Sequence, residues 1–330
     1  MKLGIFTSFD GSHQQYIDSC EELKVDYEVI DILSSDWVNN VIKSTCDGYL
    51  CSSCSDLQER KSILDERFYF IENILKKLIY PSFNELYIHE NKRNMAAWLE
   101  IHNFPHPKTN VFVNKNEAIR FLSETSYPLI MKANLGSGAS KVRIIKTSRK
   151  AKYYVNRIFP RFPKLNFLNL GLIYSKKIKG IPLPDFANSQ KNYVLFQEYK
   201  RIIHEWRIIK IGDSFFGHQK LLKGDFASGS GLVGWVAPPK ELLFMVKDIC
   251  EKGNFFAMAI DIFETEEGNY YINELQTSFG SYLNSQMIID GVPGRYIFEN
   301  GDFVFKQGVF NTYGSKKLRV EHLISIINKK

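Results

Sequence analysis

The stretch Ala259-Ile260-Asp261-Ile262-Phe263, a turn at Gly268, and then Tyr271-Ile272-Asn273-Glu274-Leu275-Gln276 decides how this chain reads. Two short apolar runs separated by a glycine turn predict a β-hairpin. A lone carboxylate such as Asp261 inside an apolar strand is costly unless it meets a cation or a bonded partner. Residues two apart on a strand share a face, so Glu274 and Gln276 point the same way. Asp261, Glu274 and Gln276 then converge as three oxygen ligands on one hairpin face, the hard-oxygen set that Mg2+ shared with nucleotide phosphates takes. A buried hydrogen-bonded network is the structural alternative.

Working outward, strands are expected at Val194–Tyr199, Trp206–Ile211 and Ser214–Lys220, with a helix over Glu241–Glu251. The first of these ends in Gln197-Glu198-Tyr199, whose carboxylate and backbone groups suit an adenine amino edge. Glu205 could accept from ribose hydroxyls, or both glutamates could simply flank a basic turn. Further upstream, the apolar run Tyr127–Lys132 leads into Gly136-Ser137-Gly138 and another strand, Val142–Lys146. Backbone N–H groups of such a loop can face phosphate oxygens with the Lys132 ammonium nearby, although a glycine-rich hairpin is more often only a tight turn. No Walker motif is present. A helix is expected over Glu85–His102, stopped by Pro105 and Pro107. Residues 151–192 read as irregular and basic.

Residues 1–84 alternate strand and helix: Leu3–Thr7, Gln14–Leu23, Tyr27–Ile32, Asp36–Lys43, Gly48–Cys51 and a long helix over Gln58–Leu78. That alternation predicts a small Rossmann-like α/β domain with a parallel sheet, without the dinucleotide glycine fingerprint. Cys51-x-x-Cys54 has no second ligand pair to make a zinc site, and it reads as loop at the carboxyl end of a strand.

The 330 residues are 44% hydrophobic and 24% charged, which excludes a disordered or fibrous chain. A net charge of +7 permits an anionic partner. The lysines are scattered, however, and part of the excess sits in a basic tail (Lys316, Lys317, Arg319, Lys329, Lys330), so nucleic acid is not expected. Five cysteines, no membrane-length apolar run and no signal-peptide pattern at the first residues make a reduced cytoplasm the expectation.

The order of these pieces resembles the ATP-grasp superfamily over roughly residues 85–285, behind its usual N-terminal α/β domain. Those pieces are Lys92, Lys132 with its glycine loop, Gln197-Glu198-Tyr199 with Glu205, and Asp261 with Glu274-x-Gln276. The stretch Gly224–Gly231 and the run Gly291-Val292-Pro293-Gly294-Arg295 resemble, more loosely, ATP-grasp proteins found among polysaccharide-biosynthesis enzymes. The resemblance implies an α+β ATP-grasp fold of two subdomains, divided as 85–200 and 201–330, with nucleotide held between them. Lys92 and Lys132 would then contact phosphates under the Gly136–Ser140 loop. Gln197, Glu198 and Tyr199 would line adenine, Glu205 the ribose, and Asp261, Glu274 and Gln276 would hold Mg2+, with Mn2+ as an alternative. The implied chemistry is phosphorylation of a carboxylate by ATP and capture of the acylphosphate by an amine, on a small molecule or an activated sugar. A kinase and a binder without turnover are the alternatives, and a homodimer is allowed. Two departures stand out: Gln276 replaces the usual Asn, and Ala259 replaces the Arg often found two positions before the first metal Asp. Arg207, Lys220, Lys223 and Arg295 are the candidate substitute cations.

Overall fold

The computed structural model describes residues 1–54, 56–136, 141–159, 193–227, 231–279, 283 and 285–329. Ser137, Gly138 and most of the basic stretch 151–192 lie outside the described residues. Two compact units result: His106–Arg201, and Met1–Pro105 together with Ile202–Lys330.

In the larger unit, β1 (Lys2–Phe6), α1 (Gln14–Leu23), β2 (Asp26–Ile30), α2 (Trp37–Lys43), β3 (Gly48–Leu50), α3 (Gln58–Tyr69) and β4 (Ile79–Tyr80) alternate as expected. The four strands are all parallel, in the order β2-β1-β3-β4. Helix α3 stops short of Leu78 because a π-helical turn, Phe70–Ile74, follows it and delivers the unexpected β4. The single helix expected over Glu85–His102 is two, α4 (Phe83–Ile88) and α5 (Lys92–Ile101). Glu90 breaks them apart with a left-handed φ of 50°. The Asn91 side chain caps α5 by accepting from Asn94 N. Both helices belong to the larger unit, which the chain first leaves at 105/106. One cause is local: Ser82 and Glu85 form a capping box. Glu85 Oε1 also accepts from Ala257 N at 2.7 Å, tying α4 to a distant strand.

The smaller unit holds β5 (Thr109–Phe112), α6 (Lys115–Glu124), β6 (Leu129–Lys132), β7 (Val142–Ile145), α7 (Ser148–Ile158) and β8 (Val194–Glu198). Its antiparallel sheet runs β5-β8-β6-β7. Leu129, Met131, Val194 and Phe196 face its core with Ala118, Leu122, Ala151 and Val155. Ile130, Lys132, Leu195 and Gln197 alternate onto the sheet's other face.

The chain then returns to the larger unit as β9 (Ile202–Ile211), β10 (Ser214–Leu221), β11 (Val233–Gly234), α8 (Lys240–Gly253), β12 (Ala257–Thr265), β13 (Tyr270–Gln276), β14 (Ile288–Ile289), β15 (Val292–Glu299), β16 (Asp302–Gln307) and α9 (Lys316–Asn328). The antiparallel order is β13-β12-β9-β10-β15-β14, with β11 on β10 and β16 on β15. Strand periodicity sorts this sheet into two faces. Trp206, Ile208, Ile260, Ile262, Ile272 and Leu275 pack against α8. Each buried aliphatic side chain of this kind contributes roughly 1.5–3 kcal/mol. Ile209, Ile211, Phe216, Ala257 and Ala259 pack against Leu3, Ile5, Tyr16, Leu50 and Tyr80 and against Leu318, Val320 and Leu323 of α9. The expected fold class, a parallel α/β domain followed by an α+β pair of antiparallel sheets, holds.

Candidate active site

The second face of the large sheet does not stay apolar. Beyond Ile209 and Ala259 it continues as Glu205, Arg207, Lys220 and Asp261, residues that stand beside one another across three strands. Arg207 lies opposite Asp261, and Asp261 lies opposite Glu274. The ladder skips Asn273 at a bulge beside Asp261, so Asn273 and Glu274 both serve the polar side of the hairpin. That insertion is invisible in an apolar–polar pattern, and it explains why Asn273 was not anticipated.

The geometry within this row is tight. Arg207 donates Nε to Asp261 Oδ1 at 2.8 Å and Nη2 to Asp261 Oδ2 at 2.9 Å, a two-pronged contact. Lys220 Nζ donates to the same Oδ2 at 2.9 Å and also to Glu205 Oε1. Asn273 Nδ2 donates to Glu205 Oε2 at 2.8 Å, and Arg207 Nη2 reaches Gln276 Oε1 at 3.3 Å. Lys92, from α5, donates to Glu274 Oε1 at 2.9 Å and lies 3.6 Å from Glu90.

Burial makes these contacts consequential, since Asp261 is 2% exposed and Glu205 1%. Burial alone would push Asp261 up, but the Arg207 and Lys220 charges outweigh it and hold this carboxyl below the usual range. Burial likewise lowers Arg207, Lys220 and Lys92, and the facing carboxylates more than reverse it for each. For Glu205 burial wins, and its carboxyl is raised. His218, two residues before Lys220, is pushed down to about 4 by burial, so it is neutral. Its Nδ1 donates to Gln286 O at 2.8 Å, since a carbonyl can only accept.

The sequence-based assignments can now be placed. Of the four candidate cations, Arg207 and Lys220 reach Asp261. Lys223 lies in a turn closed by its own backbone on Phe226, and Arg295 donates to Ser214 Oγ and lies over the Phe310 ring. Neither of those two joins the row. Glu205 is an internal counter-ion, accepting from Lys220 and Asn273. Lys92 lies on Glu274. In the smaller unit, Lys132 and Gln197 share a buried face, and Gln197 Nε2 donates to Thr109 Oγ1 at 3.0 Å. Glu198 is exposed beside Lys200, Tyr199 is partly buried, and Gly136 has a positive φ of 150°. Cys51 and Cys54 are buried free thiols, both raised by burial, Cys54 to about 12. Thiols so held from ionising are unreactive.

Among the described residues no group of three or more His, Cys, Asp and Glu side chains converges to hold a metal ion. The donor chemistry still suits Mg2+, which binds through one or two carboxylates plus substrate phosphates. Asp261 and Glu274 are the carboxylates and Gln276 Oε1 is a further oxygen.

No family model matches the sequence. The chain is 27% identical over 291 residues to alpha-aminoadipate–LysW ligase LysX of Saccharolobus solfataricus, covering 84% of this chain and 93% of that protein. It is 26% identical over 231 residues to the LysX ligase of Sulfurisphaera tokodaii, covering 67% and 71%. Among solved structures, a RimK domain ATP-grasp protein from Sphaerobacter thermophilus superposes with a TM-score of 0.54 at 12% identity, over 83% of this chain and 90% of that one. D-cycloserine synthetase DcsG gives 0.56 at 12% identity, over 84% and 91%. An α/β domain ahead of two antiparallel sheets agrees with that kinship: the chain has the ATP-grasp fold and is a distant relative of the LysX ligases.

Proposed function

We propose that this protein is an ATP- and Mg2+-dependent carboxylate–amine ligase whose reaction centre is the Arg207–Lys220–Asp261 row. The observation that carries this reading is that one buried carboxylate holds two cations in place, side by side on adjacent strands. Such preorganised cations stabilise charge that develops on a transferring phosphoryl group without reorganising at the moment of reaction.

In the reaction, a substrate carboxylate oxygen attacks the γ-phosphorus, the bond to the bridging oxygen breaks, and ADP leaves. An amine then attacks the acyl carbon, phosphate departs, and the amine gives up a proton. Arg207 is the residue we assign to the transferring phosphoryl group, because its planar fork is fixed by Asp261. Lys220 would neutralise the acylphosphate, and burial of this face would keep water from it. Lys132 and the Gly136–Gly138 loop are assigned to ATP phosphates, Gln197, Glu198 and Tyr199 to adenine, and Lys92 to holding Glu274. Asp261, Glu274 and Gln276 would hold Mg2+, which when bound supplies charge neutralisation of the phosphates. The curated relatives described above are named for a ligation of alpha-aminoadipate to LysW, which favours an amino-acid-like substrate and gives the sugar expectation no support.

The test is ADP release with MgATP and a panel of carboxylates, each with and without amines. Release that needs both substrates is expected. Release with carboxylate alone, leaving a stable phosphorylated product, would make this a kinase. MgATP binding without release under any pairing would make it a binder.

A further inference from the structure

A second cluster of buried charge lies in the same unit, where α9 meets the parallel sheet. Lys316 and Arg319 are 6% and 1% exposed. Lys316 Nζ lies 4.3 Å above the Tyr16 ring, and Arg319 lies 4.6 Å from the Phe279 ring with Nη2 donating to Thr277 O at 2.6 Å. Among the described residues no carboxylate forms an ion pair with either. The buried carboxylate nearby, Glu85, is taken up by Ala257 N, Ser82 and Thr277 Oγ1. Beside the two cations, Tyr16 Oη and Arg319 Nε are buried with no hydrogen-bond partner. The amino end of α9 has no side-chain cap, because Ser315 Oγ donates instead to Asn311 Oδ1.

Among the described residues these two buried cations have no ion-paired carboxylate and stand beside an orphaned hydroxyl, an expensive arrangement unless an anion completes it. The place is also where open parallel sheets bind ligands, outside the carboxyl ends of their strands. A short run of bonds connects it to the Asp261 row. Ser315 Oγ and Gln286 Nε2 both donate to Asn311 Oδ1, and Gln286 O accepts from His218, two residues from Lys220.

We propose that Tyr16, Lys316 and Arg319 form an anion-binding site for the carboxylate of a small molecule, which holds one end of the substrate while its other end reacts at the Arg207–Lys220 row. That the bound molecule is the substrate rests on the ligase reading; that the site binds a carboxylate does not. Arg319 supplies the planar donor and Lys316 a point charge. Tyr16 donates its hydroxyl proton to the same oxygens.

The experiment is thermal unfolding of the full chain at pH 6.5, without nucleotide, with succinate, inorganic phosphate or chloride at matched ionic strength. Succinate at about ten times its Kd should raise the wild-type midpoint by roughly 2–4 °C. Lys316→Met and Arg319→Met should abolish that rise, and Tyr16→Phe should reduce it. Lys316→Met alone should unfold no lower than wild type, because it removes an uncompensated charge. No rise with succinate, or an equal rise in Lys316→Met, overturns the site. A rise with phosphate but not succinate overturns the carboxylate assignment. Carboxylate-dependent ADP release is read separately: if it is absent while the succinate effect and its loss in Lys316→Met persist, the ligase reading fails and the anion site stands.

Discussion

The larger unit contains two buried charge clusters built on opposite principles. Around Asp261 every charge has a partner: Arg207 and Lys220 clamp one carboxylate, Lys220 also neutralises Glu205, and Lys92 holds Glu274. Around Lys316 and Arg319 the cations have rings and a carbonyl for company and no carboxylate ion pair among the described residues. The difference teaches that burial does not by itself say whether a charge is structural or waiting. A paired network is complete when the protein is empty, and removing one member harms it. An unpaired one is strained when empty, and removing a member relieves it.

The largest effect should come from breaking the paired cluster. Arg207→Met leaves Asp261 buried with Lys220 alone, and breaking a buried pair in this way costs about 3–5 kcal/mol. Denaturant unfolding should show that loss, and ADP release should vanish with it. Arg207→Met combined with Asp261→Asn should recover a large part of the stability but none of the turnover. If Arg207→Met unfolds like wild type, the ion pair is not a structural element of the fold.

Next comes the unpaired cluster, whose signature is a pH slope. Burial pushes Lys316 down to about 7, with Arg319 adding to the effect and Asp10 opposing it. In the unfolded chain a lysine titrates near 10.4. Between these values the unfolded state binds the extra proton, so folding stability rises with pH, by up to about 1.4 kcal/mol per pH unit. Below pH 7 the buried charge is carried in full and the contribution is flat. Lys316→Met should therefore remove the rise between pH 7 and 10, measured by denaturant midpoints, and a wild-type chain with no such rise would mean that the amine already has a counter-charge.

The smallest effect is expected at the edge of the paired cluster. Gln276 contacts Arg207 there at 3.3 Å. Losing one such hydrogen bond in Gln276→Leu should cost only about 0.5–1.5 kcal/mol of stability. The effect on turnover should appear at limiting Mg2+ and fade as Mg2+ is raised if the amide oxygen is a ligand. Turnover equal to wild type across the whole titration would leave Gln276 a structural residue.

The same two clusters show what a sequence discloses. Asp261 could be found because a carboxylate interrupts an apolar strand, and strand periodicity then pointed to its neighbours. That two of four candidate cations would reach it was not legible, since only the antiparallel register sets Arg207 opposite Asp261 and Lys220 opposite Glu205. Glu205 reads from sequence as a carboxylate facing a ribose, and nothing local marks it as bonded to a lysine fifteen residues on. Lys316, Lys317 and Arg319 were harder still, for they read as one basic tail. The structure separates them by helix phase: Lys317 faces outward on Glu22, whereas Lys316 and Arg319, three residues apart, turn inward together. The parallel sheet was legible from its alternation, while β4 and the break at Glu90 depended on a π-helical turn and a left-handed residue that no period announces.

Helix α9 has one more consequence, and it concerns the order in which the polypeptide is made. It lies beside α1 and against β3, and a methyl group on Gly48 would come within 3.1 Å of Leu323 and 3.0 Å of Ile327. Strands β1 and β3 therefore bury one face against residues translated much later, at 209–216, 257–259 and 318–323. Until then Leu3, Ile5, Tyr16 and Leu50 present an apolar surface to whatever else is present, the condition under which nascent chains aggregate or recruit chaperones. A chain halted before residue 316 should behave as a sticky intermediate rather than as a smaller folded protein, so the parallel sheet is synthesised well before the segments that secure it.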